Sequence, residues 1–139
     1  MLPLGLFSFS AILDIDGRSL RDPASTLSTL VMFASPSCEQ CHALRPHLEE
    51  MQKKLNADGA SVVMAALDAT RHPDPADELN VRSFPAFGFY PSHAKAAPTL
   101  FSGQPSLRPL VAWTMAQLVK TTQYRPHHLD PTHDQAAGH

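Results

Sequence analysis

A chain of 139 residues, 43% hydrophobic and 17% charged, has the size and composition of one globular domain. Its formal charge of −2, and a single compact basic pair (Lys53–Lys54) set beside Glu49 and Glu50, give no electrostatic footprint for nucleic acid. No apolar run approaches the ~20 residues that cross a bilayer, and two cysteines cannot build a disulfide scaffold.

The apolar start "MLPLGLFSFSAIL" lacks a basic n-region and a small-residue cleavage site before "DIDG". It is read as leading into a first strand over Phe7–Asp16, turned by Gly17. "SLRDPASTL" suggests a short helix broken at Pro23. Thr29–Ser35, "TLVMFAS", is a continuous β-branched and apolar run, the pattern of a strand covered on both faces. A helix follows: Leu44, Leu48, Met51 and Leu55 make one apolar stripe, Glu49 and Glu50 each precede a lysine by four places, and Asp58–Gly59 closes it.

Ser61–Ala69 is a second buried strand, and Asp74–Asn80 a short helix with Pro75 in its first turn. Ala86–Pro91 and Pro98–Gly103 are expected as neighbouring antiparallel strands. A last helix from about Ser106 to Lys120 carries the stripe Leu107, Val111, Met115 and Leu118, with Pro109 tolerated in its first turn. Strands separated by helices imply right-handed crossovers and a central, partly parallel sheet, so the class is α/β. The domain is expected over residues 1–121. Residues 122–139, rich in Pro and His, have no periodicity and are read as a tail, in which His127, His128 and His133 suggest at most metal capture.

"SCEQCHALRP" holds both cysteines, Cys38 and Cys41, at the junction between the buried strand and the amphipathic helix. Helical residues three apart have Cβ atoms within ~5–6 Å, and a disulfide needs Cα atoms within ~4.4–6.8 Å. The bond can therefore open and close with little backbone movement. At a helix N-terminus, unpaired N–H groups and the dipole favour thiolate, which in such motifs brings the cysteine pKa from ~8.5 to between ~3.5 and ~7.5. Cys38 is then the nucleophile, and Cys41, deeper in the helix, resolves the mixed disulfide. Two alternatives stand beside this reading: a pair of cysteines packing as small hydrophobes, or half of a zinc site with His42. The first is disfavoured by polar flanks and the second by a shortage of ligands, so the expectation is redox chemistry with no metal.

"LVMFASPSCEQCHALRP" resembles the active-site strand and helix of the thioredoxin superfamily, and within it the catalytic domains of protein disulfide isomerases, with their Phe-Tyr-Ala-Pro-Trp-Cys-Gly-His-Cys stretch. "LDAT" (Leu67–Thr70) and "LNVRSFPAFGFYP" (Leu79–Pro91) are similar to two further family segments, in register over roughly Leu30–Leu118. The resemblance implies a thioredoxin fold, a central mixed β-sheet flanked by helices. It also implies a thiol–disulfide oxidoreductase without organic cofactor. By the same resemblance Cys38 attacks and Cys41 resolves, Pro46 kinks the helix, and Pro85 is a cis-proline holding substrate together with Phe84 and Ser37. Glu39, Gln40 and His42 would tune the dithiol.

The departures from the family bear on that tuning. Ser37 stands in place of a tryptophan, and Glu39–Gln40 in place of Gly-His, so the thiolate loses a stabilising imidazole and gains an opposing carboxylate. Cys38 is therefore expected to be less acidic, and the couple less oxidising, than in a typical disulfide isomerase; a Cys38 pKa below about 5 would contradict this. Met32 occupies the place of a buried glutamate that takes the proton of the second cysteine. Pro105 occupies that of a mobile arginine, with Arg108 one turn away.

The expected partners are cysteine-containing proteins and a redox partner, glutathione or another oxidoreductase. Two other readings are kept: a cytosolic thioredoxin-like reductase, and a binding or chaperone module with a slow dithiol. The family resemblance points to the endoplasmic reticulum lumen, whereas the ending "AAGH", which is not a retention signal, points to the cytoplasm.

Overall fold

The structure, a computed structural model, describes residues 12–21, 26–94 and 97–127. The N-terminal part of the first expected strand, the break at Pro23 and the tail beyond 127 lie outside the described residues. Five strands and three α-helices follow in chain order: β1 (Leu13–Ile15), β2 (Ser28–Ala34), α1 (Glu39–Ala57), β3 (Val62–Asp68), α2 (Asp74–Glu78), β4 (Ala86–Tyr90), β5 (Thr99–Leu100) and α3 (Leu107–Thr121). Short 3-10 turns at Arg18–Arg21 and Ser92–Ala94 complete the described elements. The sheet order is β1-β3-β2-β4-β5, with β1 and β2 parallel to β3, β4 antiparallel to β2, and β5 antiparallel to β4. This is the thioredoxin fold, a mixed five-stranded sheet flanked by helices.

Strand alternation sorts the core into two layers. Leu30, Met32, Met64, Ala66, Phe87 and Phe89 face α1 and α3, while Val31, Phe33, Leu67 and Tyr90 face α2. Because both faces are covered, β2 and β3 read in sequence as unbroken apolar runs. Gly88 fits closely under this second layer: a Cβ there would lie 3.0 Å from Leu79 Cδ1 and 3.1 Å from Phe33 Cε2, so those side chains would have to give by a few tenths of an ångström.

The α1 stripe of Leu44, Leu48, Met51 and Leu55 is buried as its spacing predicts. Asp58 caps the helix, and Gly59 (φ 102°) makes the left-handed turn that lets Ala60 re-enter toward β3. Gln52 is the polar exception on the buried face. The β1–β3 pairing starts only at Leu13 opposite Ala65, and one residue earlier Gln52 Oε1 accepts the Met64 N–H at 2.6 Å. Gln52→Leu should leave that buried N–H without its acceptor and cost about 1–3 kcal/mol, read as a lower urea midpoint at unchanged m-value. An unshifted midpoint would mean that another group takes over the Met64 N–H.

The structure differs from the sequence reading at the C-terminal helix. The face of α3 turned inward is centred on Leu110, Thr114 and Leu118, with Met115 and Gln117, whereas Leu107 and Val111 are only half-buried. Thr114 reads as polar, yet its Oγ1 donates to the Leu110 carbonyl at 2.8 Å, which satisfies the hydroxyl and lets the side chain be buried. A further difference lies at residues 122–127, where the expected tail begins. Tyr124 is 6% exposed and its hydroxyl donates to buried Asp58 Oδ2 at 2.6 Å, which also accepts the His127 N–H at 2.9 Å. This segment is strapped across the end of α1. The described helices include none long and apolar enough to cross a membrane.

Candidate active site

β2 delivers the chain to the carboxyl end of the sheet at Ala34, and residues 35–37 turn it into α1. The Cys38 N–H donates to the Ser35 carbonyl at 3.1 Å, and Cys38 takes the extended N-cap conformation (φ −83°, ψ 100°). In that position its Sγ accepts the Cys41 N–H at 3.1 Å, the role that a serine or aspartate oxygen fills at an ordinary N-cap. The Cys38 sulfur thus sits where the helix concentrates unpaired N–H groups and positive potential, which favour negative charge on it.

Cys38 and Cys41 form a disulfide with Cα atoms 5.3 Å apart. The two sulfurs are not equivalent. Cys38 is half-buried, whereas Cys41 is 2% exposed and belongs to the layer of side chains beneath α1.

The other residues singled out from sequence fall around this pair. Ser37, Glu39, Gln40 and His42 are exposed. Ser37 Oγ lies 3.4 Å from Ser35 Oγ, and His42 Nε2 donates to the Pro36 carbonyl at 3.0 Å, pinning the turn to the first turn of the helix. Ala86 pairs with Phe33, so Pro85 lies at the same end of the sheet as the β2–α1 turn. The Phe84–Pro85 peptide bond is cis, as the resemblance implies, and Phe84 presents a 37%-exposed ring. Pro46 lies inside α1. Pro105 is half-buried just before α3, and Arg108 is exposed on the first turn of that helix.

Behind Cys41 is a cavity of about 150 Å³. Met32 and Ala66, which are register partners on β2 and β3, line it together with Ala34 and Leu67, so that side is apolar. Asp14, His42, Arg45 and Asp68 also line it. Arg45 Nη1 lies 3.1 Å from Asp14 Oδ1, and Arg45 Nη2 donates to Asp14 Oδ2 and to the Ile12 carbonyl, each at 3.4 Å. Thr70 donates its hydroxyl to Asp68 Oδ1 at 2.6 Å, which leads the causes that hold the Asp68 carboxyl below its usual range. Sequence reasoning passed over Arg45 and Asp14. The only local signal was the four-residue step from Cys41 to Arg45, which puts both on one face of a helix. No group of three His, Cys, Asp or Glu side chains among the described residues is placed to hold a metal ion.

Comparison with known proteins agrees with this architecture. Residues 20–116 match the family described as Thioredoxin. Protein disulfide-isomerase of Gallus gallus is 32% identical over 84 residues, 60% of this chain and 16% of that protein. The protein disulfide-isomerase A6 homolog of Drosophila melanogaster is 35% identical over 86 residues, 60% of this chain and 19% of that one. The chain thus spans less than a fifth of the length of these curated relatives. Among solved structures, the first thioredoxin domain of mouse protein disulfide-isomerase A4 superposes with a TM-score of 0.67 at 18% identity, covering 89% of this chain and 86% of that one. Chloroplastic thioredoxin z gives 0.61 at 18% identity, covering 79% and 96%. At such identities the superpositions speak for the fold alone.

Proposed function

The chain belongs to the thioredoxin family and carries its fold with a Cys-x-x-Cys disulfide, and from that premise we propose that it oxidises, reduces or isomerises protein disulfides as a protein disulfide-isomerase catalytic domain does. The observation that carries the reading is the asymmetry of the pair: a half-buried Cys38 at the N-cap of α1, and behind it a Cys41 that is 2% exposed.

As an oxidant, the protein takes a client thiolate onto Cys38 Sγ. The Cys38–Cys41 bond breaks, Cys41 leaves with the electron pair and takes up a proton, and a client–Cys38 mixed disulfide forms. A second client thiolate then attacks the client sulfur and expels Cys38, so that the client gains one disulfide and the protein becomes a dithiol. As a reductant, the same steps run backwards, with Cys38 attacking a client disulfide and Cys41 displacing the client. Pro85 and the exposed Phe84 ring, at the same end of the sheet, are the surface for an extended client segment. Glutathione or another oxidoreductase resets the dithiol.

The test is a redox titration in glutathione buffers, with free thiols trapped by alkylation and counted by mass. With Glu39–Gln40 between the cysteines and no imidazole there, the expected midpoint lies below the ~−180 mV of disulfide isomerases, toward the ~−270 mV of thioredoxin. The apolar side that Met32 and Ala66 give the cavity behind Cys41 favours one other reading, a client-binding module with a slow dithiol. Failure of Cys38 and Cys41 to form a reversible bond would leave that reading in place.

A further inference from the structure

The resolving step has a proton problem that the structure poses plainly. Cys41 must be a thiolate to attack Cys38 Sγ, and must regain a proton when it leaves, yet it is 2% exposed. On the side toward Cys38, a client attached there would stand between Cys41 and solvent. The opposite side opens on the cavity of about 150 Å³, a volume with room for several waters at ~30 Å³ each.

The charged and titratable groups that line this cavity are Asp14 from β1, His42 and Arg45 from α1, and Asp68 from the end of β3; β2 adds none. Asp68 accepts the Thr70 hydroxyl, which favours its charged form, so it stays a fixed anion on the cavity in every variant below; the His42 ring donates to the Pro36 carbonyl. Arg45 is the one permanent cation among the four, and it stands one helical turn after Cys41. Asp14 is its counter-ion, reached across 31 positions of sequence.

Resting on the oxidoreductase reading, we infer that the Arg45–Asp14 pair sets how readily Cys41 releases its proton through this cavity: Arg45 stabilises the thiolate, and Asp14 limits that effect. Both are positioning residues, since they act on Cys41 and touch no client. The reaction they assist is balanced. The Cys41 thiol gives its proton to water in the cavity, the thiolate attacks Cys38 Sγ, the Cys38–client bond breaks, and the client sulfur leaves with the electron pair and is protonated by solvent.

An ion pair that merely braced β1 against α1 would give the same result whichever partner was removed. A charge effect gives opposite results. In the full chain carrying Cys38→Ala, Cys41 is the only thiol, and its titration is followed by thiolate absorbance near 240 nm. Arg45→Met in that background should raise the Cys41 pKa by about one unit, the low end for loss of a nearby opposite charge. Asp14→Asn should lower it by a smaller amount, and Arg45→Lys should restore the parent value.

One unit removes about nine-tenths of the thiolate at neutral pH. The remaining thiolate is more nucleophilic by about threefold, so release of the mixed disulfide should slow about threefold in Arg45→Met with both cysteines present. Displacements of the same sign, or either variant titrating like the parent, overturn the inference. Asp14→Asn leaves the helix sequence untouched, so it decides the matter alone if Arg45→Met fails to fold. This titration needs no redox cycling. The parent glutathione titration tests the oxidoreductase reading separately, and either can fail without the other.

Discussion

Cys38→Ser is expected to reduce thiol–disulfide exchange with a disulfide-bearing protein to the uncatalysed rate, whereas Cys41→Ser should convert the chain into a single-turnover trap. The asymmetry follows from the site. Cys38 is half-buried at the N-cap of α1 and its Sγ receives the Cys41 N–H, an arrangement that favours its thiolate. A serine there keeps the cap but has no nucleophile of comparable reactivity. In Cys41→Ser, Cys38 still attacks, and the mixed disulfide persists because the resolving sulfur is gone. Mass spectrometry of the quenched reaction would show one client bound per chain for Cys41→Ser and none for Cys38→Ser. Adducts appearing on Cys41 in the Cys38→Ser chain would reverse the assignment of the two roles.

Tyr124→Ala is expected to destabilise the fold by about 3–5 kcal/mol, as large aromatic truncations in cores do. That is a core-sized effect for a residue in a segment that sequence alone assigns to a tail. The ring is 6% exposed, and its hydroxyl reaches a carboxylate that is itself 4% exposed. Tyr124→Phe separates the two contributions. It keeps the buried ring and removes only a hydrogen bond to a charged group, worth about 1.5–3 kcal/mol.

The two variants also differ from the parent in alkali. Burial first, then the hydrogen bond and charge of Asp58, push the Tyr124 phenol above its ordinary value of 10.0. A raised folded value means that its contribution is complete below pH 10 and is lost as pH rises through the interval above it. The slope is at most about 1.4 kcal/mol per pH unit. Urea midpoints measured between pH 8 and 11 should fall more steeply for the parent than for Tyr124→Phe. Parallel curves would mean that Tyr124 is reached by solvent before the chain unfolds.

Much of the fold was legible because its signals are local. The unbroken runs of β2 and β3 follow from a sheet covered on both faces. The spacing of Leu44, Leu48, Met51 and Leu55 lays α1 on that sheet, and Asp58–Gly59 ends it. Two cysteines three apart, at a strand-to-helix junction, already contain the geometry of the disulfide. Position in α3 is less legible: hydropathy places the stripe through Val111, whereas the buried face turns on Thr114, whose hydroxyl is satisfied by its own helix.

By itself, then, the sequence determined the order of the elements, the α/β class and the redox-capable pair, because each of these depends on neighbours within a turn or a strand. The tertiary structure decided the rest. Arg45 meets Asp14 across 31 positions, and Tyr124 meets Asp58 across 66. Such pairs leave no periodicity, since they are brought together by the sheet order β1-β3-β2-β4-β5 and the packing of α1 and α3 on it. The unequal burial of Cys38 and Cys41 has the same origin: a helix N-terminus offers both sulfurs, and only the layer packed beneath α1 closes over one of them.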